Sequence, residues 1–249
     1  MSMWNRRAFL ADVARKGVAG VVAVGGFGGA SGGLLSGGFL AAPRVLAAEP
    51  SGGASKPATV AEGDGAWESL FDGKSLGLWK PTPFSGGAET RIQEGAIWVG
   101  QGEELSGFHF QGKAPELPYE FELEAQRLSG LDFFCAVTFP VGPRFLTFVV
   151  GGWGGSVVGI SSINGEDASR NESTSYRQFK DKVWYRVRLR VEAQRLQAWI
   201  DQDRVVDVDL KGKEIDLRPG EIDLSCPLGV ATFRTEALFR NLRLRRLPN

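Results

Sequence analysis

Histidine is nearly missing from this chain of 249 residues, and cysteine is scarce. With His109 alone, a histidine-built zinc site is excluded, and Cys135 and Cys226 do not have the spacing of metal ligands. No metal and no cofactor are expected. Glycine-rich phosphate loops, a nucleophile elbow and internal repeats are also missing, which sets aside nucleotide-dependent enzymes, serine hydrolases of that type and propellers. No segment has apolar residues at three- and four-residue spacing, so no amphipathic helix is expected. The apolar run Val18 to Leu40 is too broken by glycine for a strong membrane span. Basic residues are not in excess: 29 stand against 29 acidic ones. Beyond Ala48 the balance is 24 against 28, which argues against nucleic acid or an anionic membrane as partner.

What is present at the N-terminus reads as an address. Asn5-Arg6-Arg7-Ala8-Phe9-Leu10 fits a twin-arginine export signal, and Val45-Leu46-Ala47-Ala48 fits a cleavage site. Residues 1–48 are expected to be removed on export to the periplasm or beyond, leaving no membrane attachment. An uncleaved anchor is the other reading. Residues 49–66 are rich in Gly, Ser, Pro and Ala and read as a linker, and residues 67–249 as one domain.

That domain is written in alternation. From Tyr185 the apolar Tyr185, Val187, Leu189 and Val191 interleave with Arg186, Arg188 and Arg190. Leu196, Ala198 and Ile200 repeat the pattern, Asp201-Gln202-Asp203 turns it, and Val205 to Val208 returns. This period of two predicts a three-stranded antiparallel meander with one face buried. Tyr119 to Arg127 alternates likewise, setting Glu120, Glu122 and Glu124 on one face. Leu131 to Phe139 reads as a buried strand, and Ile222 to Ser225 as a closing one. About a dozen short strands predict an all-β sandwich or jelly roll. Cys135 and Cys226 are either a disulfide or two free thiols.

Several stretches carry a resemblance in order: Leu70-Phe71-Asp72-Gly73-Lys74-Ser75-Leu76 with Trp79, Ile92 to Val99, Tyr119 to Leu123, Trp199-Ile200-Asp201 with Val205-Val206-Asp207, and Phe239-Arg240-Asn241-Leu242-Arg243. The chain resembles the 3-keto-disaccharide hydrolase domain family. The resemblance implies a concanavalin A-like jelly roll of two antiparallel sheets, in exported bacterial proteins that act on oxidised disaccharides or glycosides. One departure stands out. The family's mid-domain strand, Gly-aromatic-Glu-x-Gln-x-x-Asp, is replaced here by Phe145 to Trp153, with Thr147, Val149 and glycines at the polar positions. Two functions follow: cleavage of the glycosidic bond of 3-keto-glycosides, or carbohydrate binding without catalysis.

Cleavage needs a pair of carboxyl groups. Glu166 and Asp167 head the long polar loop after Gly151-Gly152-Trp153-Gly154-Gly155, and either is a catalytic candidate or a plain turn residue. Glu122, with Glu120 and Glu124, forms an acidic cleft wall if that face is concave and ordinary surface if it is convex. Trp153, loosened by glycines, is a stacking platform for a sugar ring or part of the core. Arg144 and Arg170 are candidates for hydrogen bonds to sugar oxygens. His109, between two Phe residues, is a binding side chain or a packed strand residue. The site is expected where the bend at Trp153 meets the loop Asn164 to Arg170.

Overall fold

The alternating segments become strands in the computed structural model, which describes residues 65–248. The chain divides into two units, Met1–Thr59 and Val60–Asn249. The export signal, its cleavage site and the linker up to Asp64 lie outside the described residues.

The strands in chain order are β1 (Glu68–Ser69), β2 (Trp79–Pro81), β3 (Thr90–Gln93), β4 (Ala96–Val99), β5 (Leu105–Phe110), β6 (Tyr119–Gly130), β7 (Cys135–Val141), β8 (Arg144–Gly151), β9 (Val157–Ser161), β10 (Ser175–Tyr176), β11 (Trp184–Val191), β12 (Arg195–Ile200), β13 (Asp203–Asp209), β14 (Gly229–Phe233) and β15 (Thr235–Arg246). They form two antiparallel sheets. One runs β13-β12-β11-β6-β15-β4-β3, with β1 added on β15; the other runs β10-β9-β8-β7-β14-β5-β2. This is the expected jelly-roll sandwich. The meander pairs as its alternation requires, Leu189 opposite both Ala198 and Phe121.

Between the sheets lies one apolar layer. Tyr119, Phe121, Leu123, Val187, Leu189 and Phe239 from the first sheet face Phe108, Val137, Phe139, Leu146, Phe148 and Ile160 from the second, all buried. Phe108 meets Phe239 edge-on at 5.4 Å, joining the layers. Trp79 is fully buried and donates its indole N–H to the Leu70 carbonyl at 2.9 Å, which pins the opening segment to the body of the domain.

Two expectations are corrected, and one open alternative is decided. β7 begins at Cys135, not Leu131, because β6 ends at Gly130 with φ 103° and the chain must turn before it can pair again. Ile222 to Ser225 is no strand. Glu221–Ser225 forms a 3-10 turn, and Ile222 packs on Phe84, Ala136 and Ala231 across the outside of the second sheet. Cys135 and Cys226 are free thiols. Cys135 points into the core, where burial pushes its thiol far above the ordinary range; Cys226 is pushed up to about 11 by burial and by the charge of Asp223.

Candidate functional site

The bend that follows β8 is built from glycine. Gly151, Gly154 and Gly155 take φ of 78°, 86° and 99°, and Trp153 between them is itself left-handed at φ 48°, ψ 55°. A non-glycine residue in that region costs about 1 kcal/mol or more, so neighbours must hold it. Trp153 is half-buried over Val149, Val157 and Ala168, beside Phe133. Ala168 belongs to the polar loop, so bend and loop do meet here.

Asp132 caps the bend from below. Its carboxylate accepts the Phe133 N–H at 2.8 Å and the Gly154 N–H at 3.3 Å. Burial raises its pKa from the ordinary carboxylate value. The bonds from Phe133, Gly154 and Trp153 and the charge of Arg234 pull the other way, but less strongly.

The loop is bolted to β9 rather than loose. Asn171 Nδ2 donates to the carbonyls of Ile160, Glu166 and Asp167 at 2.7, 3.0 and 3.0 Å. Ser173 Oγ accepts the Ile160 N–H at 2.8 Å. A second segment, residues 213–218, straps the loop from outside. Ile215 bridges Ile163, and Ser162 N–H donates to the Asp216 carbonyl at 2.8 Å. Lys213 pairs with Glu172. Arg218, on this strap, reaches Asp167 Oδ2 at 3.3 Å while its guanidinium lies 5.7 Å from the Trp153 ring centre.

The structure therefore gathers Trp153, Asp132, Asp167 and Arg218 around one bend. Asp167 is half-buried and also accepts from Ser169 N–H and Oγ at 3.0 and 2.6 Å. Glu166 is exposed, next to the tight turn at Asn164 and Gly165, which have φ 52° and 75°. Arg170 is exposed on the same loop, its N–H donating to the Asp167 carbonyl at 3.0 Å.

The other candidates stand apart. Arg144 opens β8 while Trp153 follows its end, a strand length of roughly 20 Å away, and pairs with Asp216 at 3.1 Å. Glu122 lies on the other sheet, 8% exposed at its side chain and paired with Arg243 Nη2 at 2.5 Å. Its face is the outside of that sheet, because Phe121 and Leu123 on either side enter the core. It forms no cleft wall with Trp153. His109 is on the outer face of the second sheet, but on β5, three strands from β8. Its Nδ1 lies 3.2 Å from Thr82 Oγ1, and burial lowers its pKa.

His109 does belong to a row. Register sets Ser161, Thr147, Thr138, Gly229, His109 and Lys80 side by side across β9, β8, β7, β14, β5 and β2. All face outward, since Phe148, Val137, Val230 and Phe108 beside them face the core. This row holds no carboxyl group, as the replaced mid-domain strand implied. A hollow of about 390 Å³ lies at another end of the domain, lined in part by Leu78, Phe110, Tyr119 and Arg245.

Residues 66–245 match the model of the 3-keto-alpha-glucoside-1,2-lyase-like domain. The chain belongs to this family of carbohydrate-active domains. No curated protein matches it in sequence. Among solved structures, a carbohydrate-binding module of Bacillus subtilis, CBM66, is 12% identical with a TM-score of 0.42, covering 66% of this chain and 93% of its own. Domain 4 of the extracellular arabinanase AbnA from Geobacillus stearothermophilus is 13% identical with a TM-score of 0.44, covering 68% and 82%. The lumenal domain of VIP36 is 10% identical with a TM-score of 0.49, covering 70% and 85%. Within the family's span, sequence reasoning missed Asp132 and Arg218. The signal for Asp132 was a lone carboxylate interrupting an apolar run; Arg218 gave none.

Proposed function

We propose that the protein is an exported enzyme that cleaves the glycosidic bond of a 3-keto-glycoside, with the sugar ring held against Trp153. The observation that carries this reading is the half-buried carboxyl of Asp132 held against the backbone of the Trp153 bend, with the Arg218 guanidinium 5.7 Å from the centre of the Trp153 ring. A ketone at C3 acidifies the proton on C2. A base that removes this proton forms the C1–C2 double bond as the C1–O bond breaks, and the departing oxygen takes up a proton. Water adding across the double bond then completes a net hydrolysis. A carboxylate whose pKa burial has raised is a stronger base than an ordinary one. A guanidinium near the ketone oxygen would stabilise the charge that develops there.

The experiment is release of monosaccharide from a 3-keto-disaccharide by the full chain. Trp153→Ala should weaken sugar binding several-fold, as loss of about 1 kcal/mol of stacking requires, with the melting temperature little changed. Titration of the variant checks this, and unchanged affinity in a folded variant would remove Trp153 as the platform. A second reading, binding without catalysis, is favoured by the carboxyl-free row from Ser161 to Lys80. Tight binding with no product from the native chain would select it.

Export rests on Arg6 and Arg7. Changing both to Lys should leave the precursor in the cytoplasm, read by fractionation of cells. Unaltered export would exclude the twin-arginine route.

A further inference from the structure

The outer face of the first sheet is tiled by arginine, glutamate and tryptophan in transverse rows. Trp199, Arg188, Glu122 and Arg243 stand side by side across β12, β11, β6 and β15. The next row on one side is Gln197, Arg190, Glu120 and Arg245, and on the other Arg186, Glu124 and Arg240. The β15 arginines consume the glutamates: Arg240 pairs with Glu124 at 2.7 Å, Arg243 with Glu122 at 2.5 Å and Arg245 with Glu120 at 2.6 Å. Arg190 takes Glu192 at 2.8 Å. Among the described residues, no carboxylate lies within ion-pair distance of Arg186 or Arg188. The two are neighbours on one strand face, about 7 Å apart. The Arg188 guanidinium lies 4.2 Å from the Trp199 ring centre, and Arg240 lies 4.0 Å from Trp184.

We propose that this face binds an acidic polysaccharide, one whose sugar rings carry carboxylates. Charge complementarity argues for it, because two half-buried cations without an ion pair of their own sit on a face where the neighbouring glutamates are already held by the β15 arginines. A planar guanidinium held over an indole is pre-oriented to receive a carboxylate by two parallel hydrogen bonds. Sugar rings can lie on the indole edges and arginine stems between those cations. Nucleic acid fits the face less well. Its duplex carries a charge about every 1.7 Å, so phosphates would fall on the glutamate column as well as on the arginines. A uronate polymer spreads its charges one per ring and meets Arg186 and Arg188 alone. Trp153 lies on the opposite sheet's bend, so this face is independent of the proposed catalytic site.

The test is affinity electrophoresis of the full chain through gels containing polygalacturonate, dextran or a DNA duplex. Polygalacturonate should retard the native protein and dextran should not. The variant carrying Arg186→Gln and Arg188→Gln should bind polygalacturonate at least about tenfold more weakly, and salt at about 0.5 M should abolish the retardation. Trp153→Ala should leave it unchanged. Should the double variant melt early, Arg186→Gln alone decides, since glutamine keeps much of the stem and removes the charge. The proposal is overturned if the native chain is not retarded, if the folded variants are retarded equally, or if the DNA duplex binds more tightly than polygalacturonate.

Discussion

Replacing Asp132 with Asn should lower turnover of a 3-keto-disaccharide by about 10²–10⁴-fold while sugar affinity changes little, because a lost proton acceptor acts in the transition state. The same variant should be more stable than the native protein at neutral pH. The folded state holds the Asp132 proton more tightly than the unfolded chain does, since burial raises its pKa. Stability that this group contributes is present at low pH. It is lost as pH rises from the ordinary carboxylate value of about 3.9 toward the raised one. Above that window the ionised carboxyl works against folding. Asn carries no charge there, and its carbonyl oxygen can still accept from Phe133 and Gly154. The melting advantage of Asp132→Asn should therefore appear at neutral pH and vanish in acid. In the native protein, if the proposed reaction holds, kcat/KM should fall as pH drops through the raised pKa, because the base is then protonated. A merely structural Asp132 would lower stability on substitution and leave that pH limb in place. Full turnover in the Asn variant would move the chemistry to another group, with Asp167, tied to the bend through Arg218, next in line.

The second large effect concerns stability. Arg245→Ala should destabilise the domain by about 3 kcal/mol or more, because it strands a buried carboxylate. Glu120 is 2% exposed and Arg245 is 11% exposed. With Arg245 gone, Glu120 keeps Arg190 at 3.8 Å, too long for a good charged hydrogen bond. In a domain of this size each kcal/mol shifts the melting temperature by about 2–4 °C, so the drop should be near 10 °C. Arg240→Ala is the control. Its pair with Glu124 is 42% and 26% exposed, and such a pair is worth about 1 kcal/mol or less. Changing Glu120 and Arg245 together to Leu should recover much of the loss, since no charge is then buried alone. Equal melting of the two alanine variants would show that burial does not rank these pairs.

The fold was legible because its signal is local. In β11 every second side chain enters the core, and Tyr185 to Val191 declares this without reference to the rest of the chain. The turn at Glu94 and Gly95 between β3 and β4 is equally local, both residues having positive φ. Ile222 to Ser225 misled because apolar residues alone do not tell a strand from a turn laid across a sheet. What excluded a strand was distant: β14 already pairs β5 and β7 on its two sides.

The candidate site was half legible. The glycines around Trp153 announced an unusual bend, and Asp167 was rightly tied to it through the loop. Glu122 was misplaced as a candidate because alternation says which residues share a face, but not which sheet that face covers or what stands opposite. Its partner Arg243 is 121 residues away in sequence. Arg218 was invisible for the same reason, lying 51 residues from Asp167. Asp132 sat within an apolar run that seemed to describe the strand, and its meaning emerged only with the turn it caps.

The position of β15 bears on when the protein can fold at all. This last strand lies inside its sheet, paired with β6, β4 and β1, and it ends at Arg246. During synthesis the first sheet remains split, with β6 lacking one neighbour and β4 cut off from the meander, until β15 has been made. Phe239 and Leu242, which close the apolar layer, arrive in that same stretch. The first sheet therefore closes only once β15 is in place, and loss of Thr235–Arg246 should leave a domain that never becomes protease-resistant.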